Sequence, residues 1–439
     1  MIDRIVIVND LAHPKGGASQ LAVESAVEFV RRGHSVTLLC GGDDNPALAV
    51  QGVDVVALGQ QRLLAANPLT TMVRGLYNGR ARHMVARWIA QNDSPRTIYH
   101  VHGWSQILSP ALFAALRPVR RRLLMHAHDF FLTCPNGAMF DYGTHAPCPL
   151  TPMSRACVTT ACDRRGRVSK AWRVARQGVQ DRLMATGAMP PQLLIHSGMT
   201  EYFARSGLTG SDMVVLPNPV EPFVATRIAA EHNRDVLFVG RIEATKGIDL
   251  AAEACRRADL RLVAVGDGDL LPGLRARYPE MVWTGRKSHA EIGALASSAR
   301  LAVMPSRHIE PFGLAAVEAL WSGLPVLSSA QSLIAPQIAA AGAGASIDPL
   351  DTDGFAAALR ELAADDPATR RMSERAFGAT GHLALSPARW IDALLAAYAA
   401  LLDGGRPGLL AAAHRWAPVA ERATEPLTEL WPTPAMGAI

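Results

Sequence analysis

The sequence has little charge and few rings. Of 439 residues, 19% are charged and 6% are aromatic, and no aromatic run offers the stacking platform that single-stranded nucleic acid needs. No window supplies ~18 uncharged apolar residues, which argues against a membrane-spanning helix. The first residues, MIDRIVIVND, lack the basic start, apolar middle and small-residue cleavage site of a secretion signal. The expectation is a cytoplasmic chain, at most peripheral at the inner face of a membrane. Six cysteines in that compartment argue against a disulfide framework, and Cys40 and Cys255 read as buried small hydrophobes. What is present is apolar material, 49% of the chain, enough for two or three globular cores. The net charge is +5, and several basic residues lie in the N-terminal half: Arg31, Arg32, Arg117, Arg120, Arg121, Arg122, Arg164, Arg165, Arg167, Lys170 and Arg173. They are either solvated surface or a basic face for anionic lipid head groups or a lipid diphosphate.

Strand and helix patterns alternate along the chain. Short Ile/Val/Leu runs predict buried parallel strands at residues 4–9, 35–40, 53–58, 97–101, 123–126, 193–196 and 213–216. Helical patterns fit residues 20–32, 69–91 and 168–185. Pro217-Asn218-Pro219 then reads as a rigid linker. The cycle restarts with strands at 235–239, 261–266, 281–284, 301–304, 325–328 and 344–347, and with a helix at 247–257. Two successive α/β runs predict two Rossmann-like, doubly wound domains facing across a ligand cleft. The expected boundaries are 1–216 with a Cys-rich insert at 132–165, then 220–385, a closing helix at 386–403, and a loosely structured tail at 404–439.

The second half carries the strongest chemical signal. Gly240-Arg241 closes a predicted strand, and Lys246-Gly247 opens the following helix. Two cations delivered to one point suit a diphosphate whose charge must be neutralised as it leaves. Gly266-Asp267-Gly268 follows another strand, where missing side chains let backbone approach a ligand. The segment from Pro305 to Leu320 passes through a loop containing Glu310-Pro311 into a helix expected from about Phe312. The first free N–H groups of that helix favour an anion. Glu318, expected some seven residues in, sits among alanines, Val317 and Leu320. A solvent-facing position is the alternative to burial toward a hydroxyl-rich ligand.

Together, Gly240-Arg241, Lys246-Gly247, Gly266-Asp267-Gly268 and Glu310-Pro311-Phe312-Gly313 with Glu318-Ala319 resemble glycosyltransferase family 4, retaining enzymes of the GT-B fold. The resemblance covers about residues 1–400. It implies that Arg241 and Lys246 hold the diphosphate of a UDP- or GDP-sugar, that Glu318 binds the nucleotide ribose, and that Glu310 bonds hydroxyls of the transferred sugar. The backbone of Phe312, Gly313 and Leu314 is implied near that sugar and phosphate. Gly16 and Gly17, after the first strand, are implied beside the donor phosphate and the acceptor; an ordinary turn is the alternative. His128, followed by Asp129, is implied as the imidazole that contacts the donor sugar, with His102 as a second candidate. The implied reaction is hexosyl transfer with retention, with no catalytic metal or other cofactor. The acceptor would be a saccharide or lipid-linked molecule, in surface polysaccharide or glycolipid synthesis.

Cys134, Cys148, Cys157 and Cys162 lie in a Pro-, Gly- and Arg-rich insert with the spacing C-x13-C-x8-C-x4-C. Four thiolates could hold one structural zinc; free thiols or two disulfides are the alternatives, and the spacing is not that of a common zinc ribbon. The insert follows His128, so Asn136, Phe140, Asp141 and Tyr142 are expected toward the acceptor. Three rival readings are another GT-B enzyme (a nucleotide-sugar epimerase or a phosphorylase), a zinc-stapled nucleic-acid-binding protein, and an inactive scaffold. Nothing marks a pyridoxal phosphate lysine, and a nucleic-acid role leaves the Glu310–Glu318 segment unexplained.

Overall fold

A computed structural model describes residues 2–14, 16–65, 67–185 and 189–413. The chain divides into two compact units. The first runs to Asn218 and takes in the helix that begins at Pro387; the second is Pro219–Ser386. The division falls inside Pro217-Asn218-Pro219, where two fixed φ angles stiffen the passage.

The sheet of the first unit contains β1 (Arg4–Asn9), β2 (Val36–Cys40), β3 (Asp54–Ala57), β4 (Thr97–Val101), β5 (Leu123–Ala127), β6 (Gln192–Leu194) and β7 (Met213–Val215). The order is β3-β2-β1-β4-β5-β6-β7, every pairing parallel. β2, β4 and β5 are buried at every residue, which is why they read as unbroken apolar runs rather than as alternating ones. The second unit repeats the plan with β8 (Asp235–Val239), β9 (Leu262–Val265), β10 (Val282–Gly285), β11 (Ala299–Met304), β12 (Val326–Ser329) and β13 (Gly344–Ile347), in the parallel order β10-β9-β8-β11-β12-β13. The strand order of each sheet reverses once, between β1 and β4 and between β8 and β11. In such doubly wound sheets, ligands bind beyond the carboxyl ends of the strands at the reversal.

Three helical expectations change. The pattern at 69–91 is two helices, Pro68–Leu76 and Gly79–Asn92, because Asn78 turns its side chain to accept the N–H of Ala81 and starts a new helix. The helix expected from Phe312 begins at Leu314, with Gly313 in the left-handed region as its N-cap, so Glu318 is its fifth residue rather than about its seventh. The closing helix does not stop at 403. It spans Pro387–Ala413 with a bend at Gly405 (φ 57°), and Pro407 falls just past the bend, where its missing N–H costs little. The loose tail expected at 404–439 lies outside the described residues from 414 onward.

The long C-terminal helix packs on the first unit. Tyr398 and Trp390 are buried there, the Tyr398 ring lies 5.6 Å from that of Phe29, and Arg96 pairs with Asp403 at 3.1 Å. Among the described residues no helix is long and apolar enough to cross a membrane.

Candidate active site

The second unit concentrates its chemistry on the loops after β8 and β11, the two strands at the reversal. The loop after β8 makes a short turn at Ala244–Lys246 and leaves it through Gly247 at φ 69°. A Cβ on Gly247 would lie 1.9 Å from the carbonyl oxygen of Pro305, so only glycine lets this loop press against the loop after β11. The Arg307 N–H donates to the Thr245 carbonyl at 2.9 Å, Arg307 forks onto Asp249 at 2.6 Å, and His308 Nδ1 bonds the Thr245 carbonyl at 3.0 Å. The two loops therefore behave as one rigid platform.

That platform brings Lys246 and Glu310 together. Lys246 Nζ donates to Glu310 Oε2, and Ser306 Oγ donates to the same oxygen at 3.2 Å. Burial alone would raise the Glu310 carboxyl; the Lys246 ammonium outweighs it and holds the group at about 2. Glu310 is thus an ionised, half-enclosed acceptor whose Oε1 takes no hydrogen bond from the described residues. Arg241 is on the same loop as Lys246 but 62% exposed, held by Glu243 at 2.8 Å. The structure therefore joins Lys246 to Glu310 and leaves Arg241 at the rim.

Glu318 behaves differently. It lies on the helix Leu314–Trp321, mostly shielded, with no hydrogen bond to its carboxylate from the described residues. Burial, helped by the charge of Glu221, pushes it up to about 7. Phe312 is buried, while Leu314 is half-buried at the helix start, where free N–H groups are available. A Cβ on Gly266 would lie 1.8 Å from the Gly240 carbonyl oxygen, so the absent side chain at Gly266 is explained by the close approach of the two strand ends.

In the first unit, Gly16 adopts φ 91° and ψ 160°, a region open only to glycine, and precedes the helix Gly17–Arg31. No side chain caps this helix and its first turn carries no acid, so its leading N–H groups are open to an anion. At the carboxyl ends of β4 and β5 four imidazoles form a stack. His102 Nδ1 bonds His128 Nε2 at 3.1 Å, His102 Nε2 faces His100 Nδ1 at 3.2 Å, and His100 Nδ1 meets Tyr398 Oη at 2.7 Å. The rings of His126 and His128 lie 4.4 Å apart at 14°. Burial lowers all four, His128 to about 3, so they are neutral near pH 7 and act as hydrogen-bond partners rather than cations. Ligating nitrogens of His100, His102 and His126 lie within 4.8 Å of one another. However, the His100 and His126 ring planes differ by only 16° with centroids 5.2 Å apart. Imidazoles that share an ion aim in-plane lone pairs at one point; near-parallel stacked rings do not.

Several supports of the site carry no local sequence signal. Asp10, just past β1, is buried and accepts the N–H groups of Gln106, Ile107 and Leu108 at 2.7–2.9 Å, fixing the loop after β4. Ser306 and His308 carry no such signal either, whereas the His100-Val101-His102 and His126-Ala127-His128 runs at two predicted strand ends already point to a gathering of imidazoles, which the structure bears out. Asp129 accepts the N–H of Phe131 at 2.9 Å, so it also shapes its own turn.

The four cysteines are buried and free. They gather around Lys170, 3% exposed, whose Nζ lies 3.2 Å from Cys162 Sγ and 3.7 Å from Cys157 Sγ. No three of the thiols close to within 4.8 Å of one another among the described residues. Lys170 has no carboxylate partner among those residues. Burial lowers its affinity for the proton, but the Cys162, Cys157 and Cys134 sulfurs more than offset this and raise it. Asn136 belongs to this nest, donating to the Phe140 carbonyl at 2.8 Å, and is buried; Asp141 and Tyr142 are only half-buried.

Two family models match this chain, one in each unit: Glycosyltransferase Family 4 over residues 15–183 and Glycosyl transferases group 1 over residues 225–378. The matches support a family 4-type GT-B glycosyltransferase. Curated relatives agree with that family. Glycogen synthase of Mycobacterium tuberculosis is 30% identical over 273 residues, which is 58% of this chain and 63% of the relative. D-inositol 3-phosphate glycosyltransferase 1 of Catenulispora acidiphila is 29% identical over 332 residues, 70% of this chain and 73% of the relative. The fold is that of solved GT-B glycosyltransferases. Sucrose-phosphate synthase from Thermosynechococcus elongatus superposes with TM-score 0.65 at 16% identity, covering 90% of this chain and 98% of that one.

Proposed function

We propose that this family 4-type chain is a retaining glycosyltransferase that takes a hexose from a UDP- or GDP-sugar. Its acceptor would be a saccharide or lipid-linked molecule. The observation that carries the reading is the ionised Glu310 bound to Lys246 at the reversal of the second sheet, with the shielded Glu318 on the adjoining helix. Lys246 would transfer its ammonium from Glu310 to the donor diphosphate, with Arg241 swinging in from the rim as a second cation. Glu310, relieved of Lys246, would accept hydroxyls of the sugar. The free N–H groups at Leu314 would face phosphate, and Glu318 would take the ribose hydroxyls. His128, neutral and braced by His102, would accept or donate one hydrogen bond to the sugar.

In the chemical step the acceptor hydroxyl attacks on the face from which the diphosphate departs, and the departing phosphate oxygen takes the proton. The protein's share is positioning and stabilisation of the leaving charge, with no metal required. The glycogen synthase and D-inositol 3-phosphate glycosyltransferase names support saccharide or sugar-alcohol acceptors. Proton NMR of the first product formed tests the proposal: the new bond should keep the donor's anomeric configuration. An inverted product, or no sugar released from any nucleotide donor, would overturn it.

A further inference from the structure

The charge of this chain is unevenly placed. Residues 55–180 hold 17 Lys and Arg against 4 Asp and Glu, whereas the whole chain holds 44 against 39. The excess of +13 in that stretch is therefore set against an excess of −8 elsewhere. The structure shows which of these cations are spent internally. Lys170 is buried among sulfurs, Arg173 pairs with Asp163 at 2.8 Å, and Arg122 pairs with Asp93 at 2.7 Å. Arg164, Arg165 and Arg167 are exposed and form no ion pair among the described residues. Burial and the neighbouring Arg173 and Arg164 charges lower the Arg165 guanidinium, outweighing the nearby Asp163 charge that raises it.

Beside these arginines lies exposed apolar surface. The helix Pro68–Leu76 packs on the helix Arg167–Met184 through Trp172, whose Nε1 donates to the Met72 carbonyl at 3.0 Å and whose ring leaves no room for a Cβ on Gly75. Val168 is one turn before Trp172 on the same helix and is 83% exposed; Val73 is 69% and Met72 50% exposed. Tyr77 continues this face and Arg80 follows it, also exposed. Large apolar side chains this open to water, bordered by unpaired arginines, are costly in a soluble surface and apt for the boundary between lipid head groups and acyl chains.

We propose that Met72, Val73 and Val168, with Arg164, Arg165 and Arg167, form a docking surface for an anionic lipid membrane. The arginines supply attraction to phosphate head groups, and the three apolar side chains dip below them. Its most exposed apolar side chains, Met72, Val73 and Val168, carry no ring, which distinguishes this surface from the aromatic platform made for single-stranded nucleic acid. None of these six residues is among those proposed to hold the donor, so the surface stands or falls independently of the proposed transfer reaction.

Co-sedimentation of the full-length protein with vesicles tests it directly. One set is phosphatidylcholine alone; the other adds phosphatidylglycerol. Binding is expected to the anionic set only, and to fall at least tenfold between ~0.05 M and ~0.5 M salt. The triple variant R164S/R165S/R167S should weaken binding at least tenfold. The triple variant M72S/V73S/V168S should weaken it several-fold at unchanged charge. Both should melt at the wild-type temperature, since the changed side chains are exposed. The proposal is overturned by absence of binding at low salt, by equal binding to both vesicle types, or by unchanged binding of the apolar triple variant. It is likewise overturned if a single-stranded RNA oligonucleotide binds more tightly and displaces the vesicles.

Discussion

Replacing Lys246 by alanine separates the stabilising role of the buried pair from its role in turnover. Glu310 is held at about 2 against an ordinary value of 4.5, chiefly because Lys246 overcomes the burial that would otherwise raise it. A depressed carboxyl stabilises the fold above its unfolded value, and that contribution is lost as pH falls from about 4.5 to about 2. The difference corresponds to about 3 kcal/mol at neutral pH. Lys246→Ala should remove it and lower the melting temperature of the second unit by roughly 6–12 °C, at 2–4 °C per kcal/mol for a domain of this size. The double variant Lys246→Ala/Glu310→Gln should recover most of that loss, because a neutral amide no longer needs the ammonium. Turnover should not recover. Removing one preorganised cation from a leaving diphosphate is expected to cost about 10²–10³ in rate. Differential scanning fluorimetry and nucleotide release, measured in parallel, read the two effects separately. Turnover of Lys246→Ala within about threefold of wild type, with the melting shift present, would show that Lys246 is a structural partner of Glu310 and nothing more.

Glu318, raised to about 7, should make nucleotide binding pH-dependent. Ribose hydroxyls donate best to the ionised carboxylate, so donor affinity should rise about tenfold from pH 6 to pH 8, and Glu318→Gln should abolish that slope in a calorimetric titration. Without ligand the sign reverses: the folded state holds the proton more tightly, so second-unit stability should decline as pH rises from about 4.5 to about 7. Gly247→Ala meets both a left-handed backbone and the Pro305 carbonyl oxygen, and should cost roughly 2 kcal/mol or more and loosen the Lys246–Glu310 platform; an unshifted melting temperature would contradict the packing described. With Lys170 as the cation of the cysteine nest, chelator treatment should leave the melting temperature unchanged, whereas Lys170→Met should lower it by several degrees. One equivalent of zinc released by the chelator, with a matching loss of stability, would instead establish the tetrathiolate centre.

Both parallel sheets could be read from the sequence because strands buried on two faces appear as unbroken Ile, Val and Leu runs. The second-unit site was legible for a related reason: Arg241, Lys246, Glu310 and Glu318 all follow strand ends closely in the chain. What escaped depended on partners far apart in sequence. Asp10 is explained only by N–H groups about a hundred positions later, and His100 only by Tyr398 on the last helix. Lys170 looked like one more surface cation until the fold placed it among Cys157 and Cys162. Periodicity also joined what Asn78 divides, and the Gly404–Gly408 composition suggested an end where the helix only bends at Gly405.

The central claim is that the second unit holds a nucleotide-diphosphate sugar through Lys246, Glu310 and Glu318. The most direct test is a thermal-shift screen of UDP- and GDP-sugars against wild type and Glu318→Gln. A true donor at ~100 times its dissociation constant should add about 2.7 kcal/mol to wild-type stability and raise its melting temperature by several degrees, with a much smaller shift in the variant. No shift with any nucleotide sugar, or equal shifts in wild type and Glu318→Gln, would contradict the account.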